Sequence, residues 1–188
     1  MRYLLTVLGV ILLTILTVIV ITSRPRSESK KSGQSPVKSL VEYANSETRA
    51  IYTIEGGVVG KEDRKSIRIT VDRNERVLEI LTGYDGVVEK TERFGNSTSA
   101  YEAFLAAIDQ AGFTGKRKHP FILDERGACP LGRHFVLELS QGENDISRQW
   151  ATSCGNRVGT SSAKISTVRK LFEAQIPNYS KLISNITI

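Results

Sequence analysis

Two cysteines, two histidines and one tryptophan are all that this 188-residue chain holds of those residue types. So few ligands exclude a cysteine-rich zinc module and a disulfide-dense mini-scaffold. Aromatic residues make up only 7% of the chain, yet 40% is hydrophobic, too apolar for a disordered polymer and enough for one core. Most of the chain also lacks a charge excess. The formal net charge is +6, but six of the 26 basic residues and one of the 20 acidic ones fall at or before Lys38. The remainder balances at +1. A nucleic-acid binder carries its positive charge on a folded face, so no nucleic-acid partner is expected.

Charge is missing altogether from Tyr3 to Thr22, where Leu, Ile, Val and Thr dominate. As a helix this stretch rises about 30 Å, the thickness of a hydrocarbon core. The run is longer than the apolar part of a cleaved signal, and Val20-Ile21-Thr22-Ser23 is a poor cleavage site. No cysteine follows it closely enough to carry a lipid. Residues 1–22 are therefore read as a transmembrane signal-anchor, with the membrane as a partner through a single span at 3–22. Residues 23–40 read as a flexible Ser/Lys/Arg-rich tether, because they contain little apolar surface to bury. Arg24, Arg26, Lys30, Lys31 and Lys38 follow the span, and the positive-inside rule taken alone puts the domain in the cytoplasm.

Residues 41–188 have the pattern of an α+β domain. Ser66–Val71 alternates strictly, and Val77–Thr82 does so with Leu78 and Ile80 on one side. A tight turn at Arg73-Asn74 sets Ile69 opposite Leu78 and Ile67 opposite Ile80. A further strand is expected at Thr48–Ile54. Asp85-Gly86 predicts a type I′ hairpin turn. The strand after it, Val87–Phe94, carries Glu89, Lys90, Glu92 and Arg93, charges that suit an edge guarded against further pairing. Ser99 to Glu102 fits a capping box before a helix whose stripe is Tyr101, Phe104, Leu105 and Ile108, closed by Gly112. Two more strands, Arg133–Leu139 and Ile146–Ser153, are joined across residues 140–144. A second helix turns Ile165, Val168, Leu171 and Phe172 inward and stops before Pro177. The order ββββ-α-ββ-α implies an antiparallel sheet with two helices packed on one face.

Four stretches carry a resemblance: Ser66-Ile67-Arg68-Ile69-Thr70-Val71, Ala111-Gly112-Phe113-Thr114, Ala128-Cys129-Pro130-Leu131-Gly132-Arg133 and Ala174-Gln175-Ile176-Pro177-Asn178-Tyr179. Together they resemble a group of small membrane-anchored proteins of Saccharibacteria, very small bacteria attached to host cells. The resemblance spans nearly the whole soluble domain. It implies an N-terminal anchor and an exported domain, and brings no activity or residue role with it.

Cys129 and Cys154 are the pair with chemical interest. Registers that join the apolar faces of the last hairpin oppose Leu137 to Ile146 or Arg148, and Phe135 to Arg148 or Trp150. The two cysteines then lie on one face at the open end of the hairpin, within disulfide reach. Two separate buried thiols are the alternative. Disulfide logic favours an oxidising compartment, and it outweighs the positive-inside count, which places the domain outside the cytoplasm. His134 is the histidine nearer to Cys129, but no orienting acid accompanies it. His119, Cys129, His134 and Cys154 match no compact zinc spacing. Lys116-Arg117-Lys118-His119 reads as a solvated run, and Gly56-Gly57-Val58-Val59-Gly60 as a turn between strands. Asp124-Glu125 and Glu62-Asp63 read as loop acids.

No catalytic, cofactor or metal residues are assigned, and no enzyme activity is expected. The expectation is a membrane-tethered extracytoplasmic binding module whose partner is another envelope protein or a host-surface protein. One alternative is an accessory subunit of a membrane complex, contacting it through Thr6, Gly9, Leu13 and Thr17 of the span. The other is a small thiol enzyme using Cys129 or Cys154.

Overall fold

Alternating side chains pair the central strands as expected. In the computed structural model, which describes residues 39–121, 124–155 and 158–188, Ile67 lies opposite Ile80 and Ile69 opposite Leu78. The six strands are β1 (Thr48–Glu55), β2 (Lys65–Val71), β3 (Glu75–Thr82), β4 (Val87–Gly95), β5 (His134–Gln141) and β6 (Asn144–Thr152). They form one antiparallel sheet in the order β4-β3-β2-β1-β5-β6. Helix α1 (Thr98–Gln110) follows β4, and α2 (Ile165–Glu173) follows β6. A 3-10 turn at Leu40–Tyr43 and a short helix α3 (Tyr179–Leu182) complete the α+β domain.

The main core lies between one sheet face and the helices. Tyr52, Ile69, Leu78 and Leu137 meet Tyr101, Phe104, Leu105 and Ile108 of α1 and Val168 and Phe172 of α2. Ile165 and Leu171 are half-buried against the same cluster. Gly112 closes α1 with φ +76°, and the Phe113 amide donates back to Ile108 O at 3.0 Å. A left-handed residue after the helix lets the chain reverse there and buries Phe113.

Several expected details are corrected. Ser97, not Ser99, caps α1, accepting from the Ala100 amide at 3.3 Å. Ala100 then occupies the third helical position, so Glu102 is too far along to complete a capping box. Asp85-Gly86 is not a two-residue type I′ turn. β3 and β4 are joined by residues 83–86, with positive φ at Gly83 and Gly86 and not at Asp85. By contrast, β5 and β6 are joined by only Gly142 and Glu143.

The β5–β6 register also differs from that expected. Leu137 opposes Gln149, Phe135 opposes Ala151, and Val136 opposes Trp150. A bulge between Leu139 and Ser140 shifts the pairing. Val136 and Trp150 consequently point away from the helices and are buried on the other face. Leu40, assigned to the tether by sequence, is 2% exposed, and Asp109 accepts hydrogen bonds from Ser39 Oγ and the Leu40 amide. The folded domain therefore reaches back past Val41. The expected span at 3–22 lies outside the described residues. Among the described residues no helix is long and apolar enough to cross a membrane.

Candidate functional site

The ends of β1, β3 and β5 that converge at one end of the sheet carry three irregular segments. These are residues 56–64, 83–86 and 124–132. Arg64 organises the first. Its guanidinium donates to Glu55 Oε2 at 2.8 Å, to Gly56 O at 3.0 Å and to Gly57 O at 3.2 Å. It also lies 4.5 Å from the centroid of the Tyr84 ring. The Tyr84 hydroxyl donates to Val59 O at 2.8 Å, so the second segment is tied to the first. The Val58 amide donates to Pro130 O at 2.6 Å and ties in the third.

Cys129, in the third segment, meets Cys154, which follows β6. Their sulfurs are at disulfide distance and their Cα atoms are 5.6 Å apart. The expected pair meets by an unexpected route, because Cys129 is not on a strand facing Cys154. The turn closed by Gly132 N donating to Cys129 O, with φ +55° at Cys129, folds the chain back to meet it. Gly132 is the residue this turn needs. A Cβ there would overlap the Cys129 sulfur and lie 2.6 Å from Ser153 Oγ.

Segment 124–132 is fastened over the face carrying Trp150. His134 shares a hydrogen bond between Nε2 and Ala128 O, and its ring stacks on Trp150 with centroids 6.2 Å apart. Arg148 donates to Glu125 Oε2 at 2.7 Å and lies 3.2 Å from Glu138 Oε1. The Glu125 hydrogen bond, acting against desolvation, holds the Arg148 guanidinium above its ordinary value. Hydrogen bonds from Arg126 hold the Asp124 carboxyl below the usual range.

Between the segments runs a cleft of about 460 Å³. Its Arg64, Glu55, Glu125 and Arg148 are all engaged in ion pairs. A second hollow of about 380 Å³ lies between Val58, Val59 and Leu131. Its rim is apolar and open: Leu131 is 92% exposed, Val58 60% and Val59 50%, and Tyr84 beside them is 51% exposed. Large apolar side chains held this far into water on hydrogen-bonded loops form a surface that gains free energy when covered.

The Gly56–Gly60 stretch is an irregular loop between β1 and β2, with the turn itself at 61–63, and Val58 and Val59 on it are exposed. The usable signal in the sequence is two consecutive valines where turn chemistry favours polar residues. Half of the basic run at 116–119 serves the fold. Lys116 pairs with Ser161, and Arg117 donates to Ser161 O at 2.9 Å. His119 is exposed. Among the described residues no three His, Cys, Asp or Glu side chains gather into a metal-holding group, and no cysteine is free. Neither a protein-family model nor a curated protein matches the chain.

Proposed function

We propose that this domain is a membrane-tethered, extracytoplasmic interaction module that presents its apolar loop tip to another protein of the envelope or of a host surface. The observation that carries this reading is the exposed set of Val58, Val59, Tyr84 and Leu131 on three mutually bonded segments. Pre-ordered loops lose little conformational entropy on binding, which favours recognition by a fixed shape. In the neighbouring cleft Arg64 is paired with Glu55 and Arg148 with Glu125, an arrangement suited to holding loops in place. Support for the tether comes from the uncharged run Tyr3–Thr22 and the polar stretch after it. Support for an oxidising compartment comes from the Cys129–Cys154 geometry. The likeness to anchored proteins of Saccharibacteria points the same way.

The test is site-specific photo-crosslinking of the full chain in its own cells. A photoreactive residue at Val59 or Leu131 is expected to give a discrete protein adduct, and one at exposed Lys170 on α2 none. Leu131→Asp should abolish the Val59 adduct. Adducts confined to Gly9 within the span would replace this reading with the accessory-subunit one.

A further inference from the structure

A cavity of about 510 Å³ opens between the end of β6 and the start of α2. It shares no lining residue with the cleft or the hollow at the loop tip. Its charged lining has one sign. Arg117 and Lys164 are there, and among the described residues no carboxylate is. Nor does either cation belong to an ion pair among the described residues. The cleft at the tip differs, because its arginines face Glu55 and Glu125. The remaining polar lining here is hydroxyl: Thr152, Ser161, Ser162 and Ser166.

Several of these groups hold donors that the fold does not use. Ser161 is 1% exposed and Thr152 8%. Each hydroxyl accepts from a main-chain amide, Ser161 Oγ from Ala163 at 3.1 Å and Thr152 Oγ1 from Cys154 at 3.3 Å. A hydroxyl that has accepted still has its proton to donate. The Arg117 guanidinium hydrogen-bonds once, from Nη2 to Ser161 O at 2.9 Å, and its Nε is buried without a partner. Helix α2 starts at the same wall with no side chain capping it, which adds the positive end of its dipole. Donors and positive charge withdrawn from water without acceptors are costly, and an oxyanion answers both.

We infer that this cavity binds phosphate, free or as the head of a small ester, with Arg117 and Lys164 supplying the charge and the four hydroxyls supplying hydrogen bonds. A phosphate ester carries about −1.5 to −2 near neutral pH, which two cations balance, and its oxygens are strong acceptors. The cavity exceeds a lone phosphate, and its volume of about 510 Å³ is that of sites for small organic ligands. The basic run at 116–119 reads from sequence as solvated, yet one of its side chains lines this site. The site is independent of the protein partner proposed for the loop tip.

The full-length chain, purified in a nonionic detergent, is titrated with glycerol phosphate, with inorganic phosphate and, at matched ionic strength, with sodium chloride. A ligand of the folded state stabilises it, so both phosphates are expected to raise the melting temperature saturably. Chloride should give no saturable rise. Tighter binding of glycerol phosphate identifies an ester as the occupant, and equal binding the free ion. Lys164→Gln should weaken binding roughly three- to tenfold. Ser166→Glu, which adds a carboxylate to the cavity wall, should abolish the response. Both positions are exposed, so these variants keep the fold. Lys170→Gln, in the last turn of α2, should bind as the parent does. No saturable shift, a shift that chloride matches, or one that Lys164→Gln and Ser166→Glu leave unchanged would overturn the proposal.

Discussion

Phe104 of α1 meets Phe172 of α2 edge-on, with ring centroids 5.0 Å apart and planes at 89°. Phe172 also lies 5.4 Å from the Tyr52 ring on β1 and 5.6 Å from Phe113. A single aromatic cluster thus fastens both helices to the centre of the sheet. Edge-to-face pairs add roughly 0.5–1.5 kcal/mol to the gain from burial. Phe104→Ala is expected to cost about 3–5 kcal/mol by urea unfolding. Glu102→Ala, on the exposed face of the same helix, should stay within about 0.5 kcal/mol of the parent. Equal losses for the two would mean that the helix is not held by this face.

Arg64 should prove irreplaceable by lysine. Its planar fork reaches a carboxylate and two carbonyls while its face covers Tyr84. An ammonium keeps the charge but not that geometry. Arg64→Lys is expected to destabilise the domain by about 1–2 kcal/mol through its lost charge-assisted bonds. Amide hydrogen exchange at Val58, whose N–H donates to Pro130 O, should quicken. Unchanged exchange there would show that the first loop holds its shape without Arg64.

Alkali should loosen the core before it reaches the surface charges of arginine. Burial raises the phenol pKa of Tyr52 and Tyr101 above the ordinary 10.0, and pushes that of Tyr179 up to about 12. In the unfolded chain these phenols ionise near 10.0. Above that pH the unfolded state binds fewer protons than the folded one, so stability falls as pH rises. It should be intact below pH 10.0 and decline progressively toward about 12. Tyr101→Phe forfeits the 2.8 Å bond to Thr48 O, costing about 1 kcal/mol at neutral pH, yet should flatten the alkaline decline. Urea midpoints between pH 8 and pH 11 measure both effects. A decline as steep in Tyr101→Phe as in the parent would clear Tyr101 of any part in it.

How far the residues announce these features depends on the range of the forces involved. Ile67, Ile69, Leu78 and Ile80 reveal their register because a period of two and a short turn leave one solution. The turn is local as well, with Asp72 Oδ1 accepting from the Asn74 and Glu75 amides. Trp150 misleads because the β5–β6 register, shifted by a bulge, sets it opposite Val136 on the face away from the helices, where the His134 ring stacks on it. Ser97, Thr98 and Ser99 are all competent caps by residue type, and the helix takes the first. The pairing of Cys129 with Cys154 is legible from their places at the open end of the last hairpin, whereas the left-handed turn that accomplishes it is not. Val58 and Val59 stand out among glycines in the sequence, but the bond that ties their loop is to Pro130, distant in sequence.

The compartment of the domain can be read from its cysteines. A bond between residues separated by 25 positions should contribute roughly 3 kcal/mol by restricting the unfolded chain. Cys129→Ala and Cys154→Ala should then destabilise alike, and the double variant no further, because all three remove the same bond. In intact cells a thiol reagent that cannot cross the membrane should label neither residue until a reductant is added, and both afterwards. Labelling that requires broken cells but no reductant would place the domain in the cytoplasm. The five basic residues after Thr22 would then be obeying the positive-inside rule. Two thiols kept at disulfide distance would in that case ask for a redox explanation, with His134, bonded to Ala128 O next to Cys129 in the chain, the ring to examine.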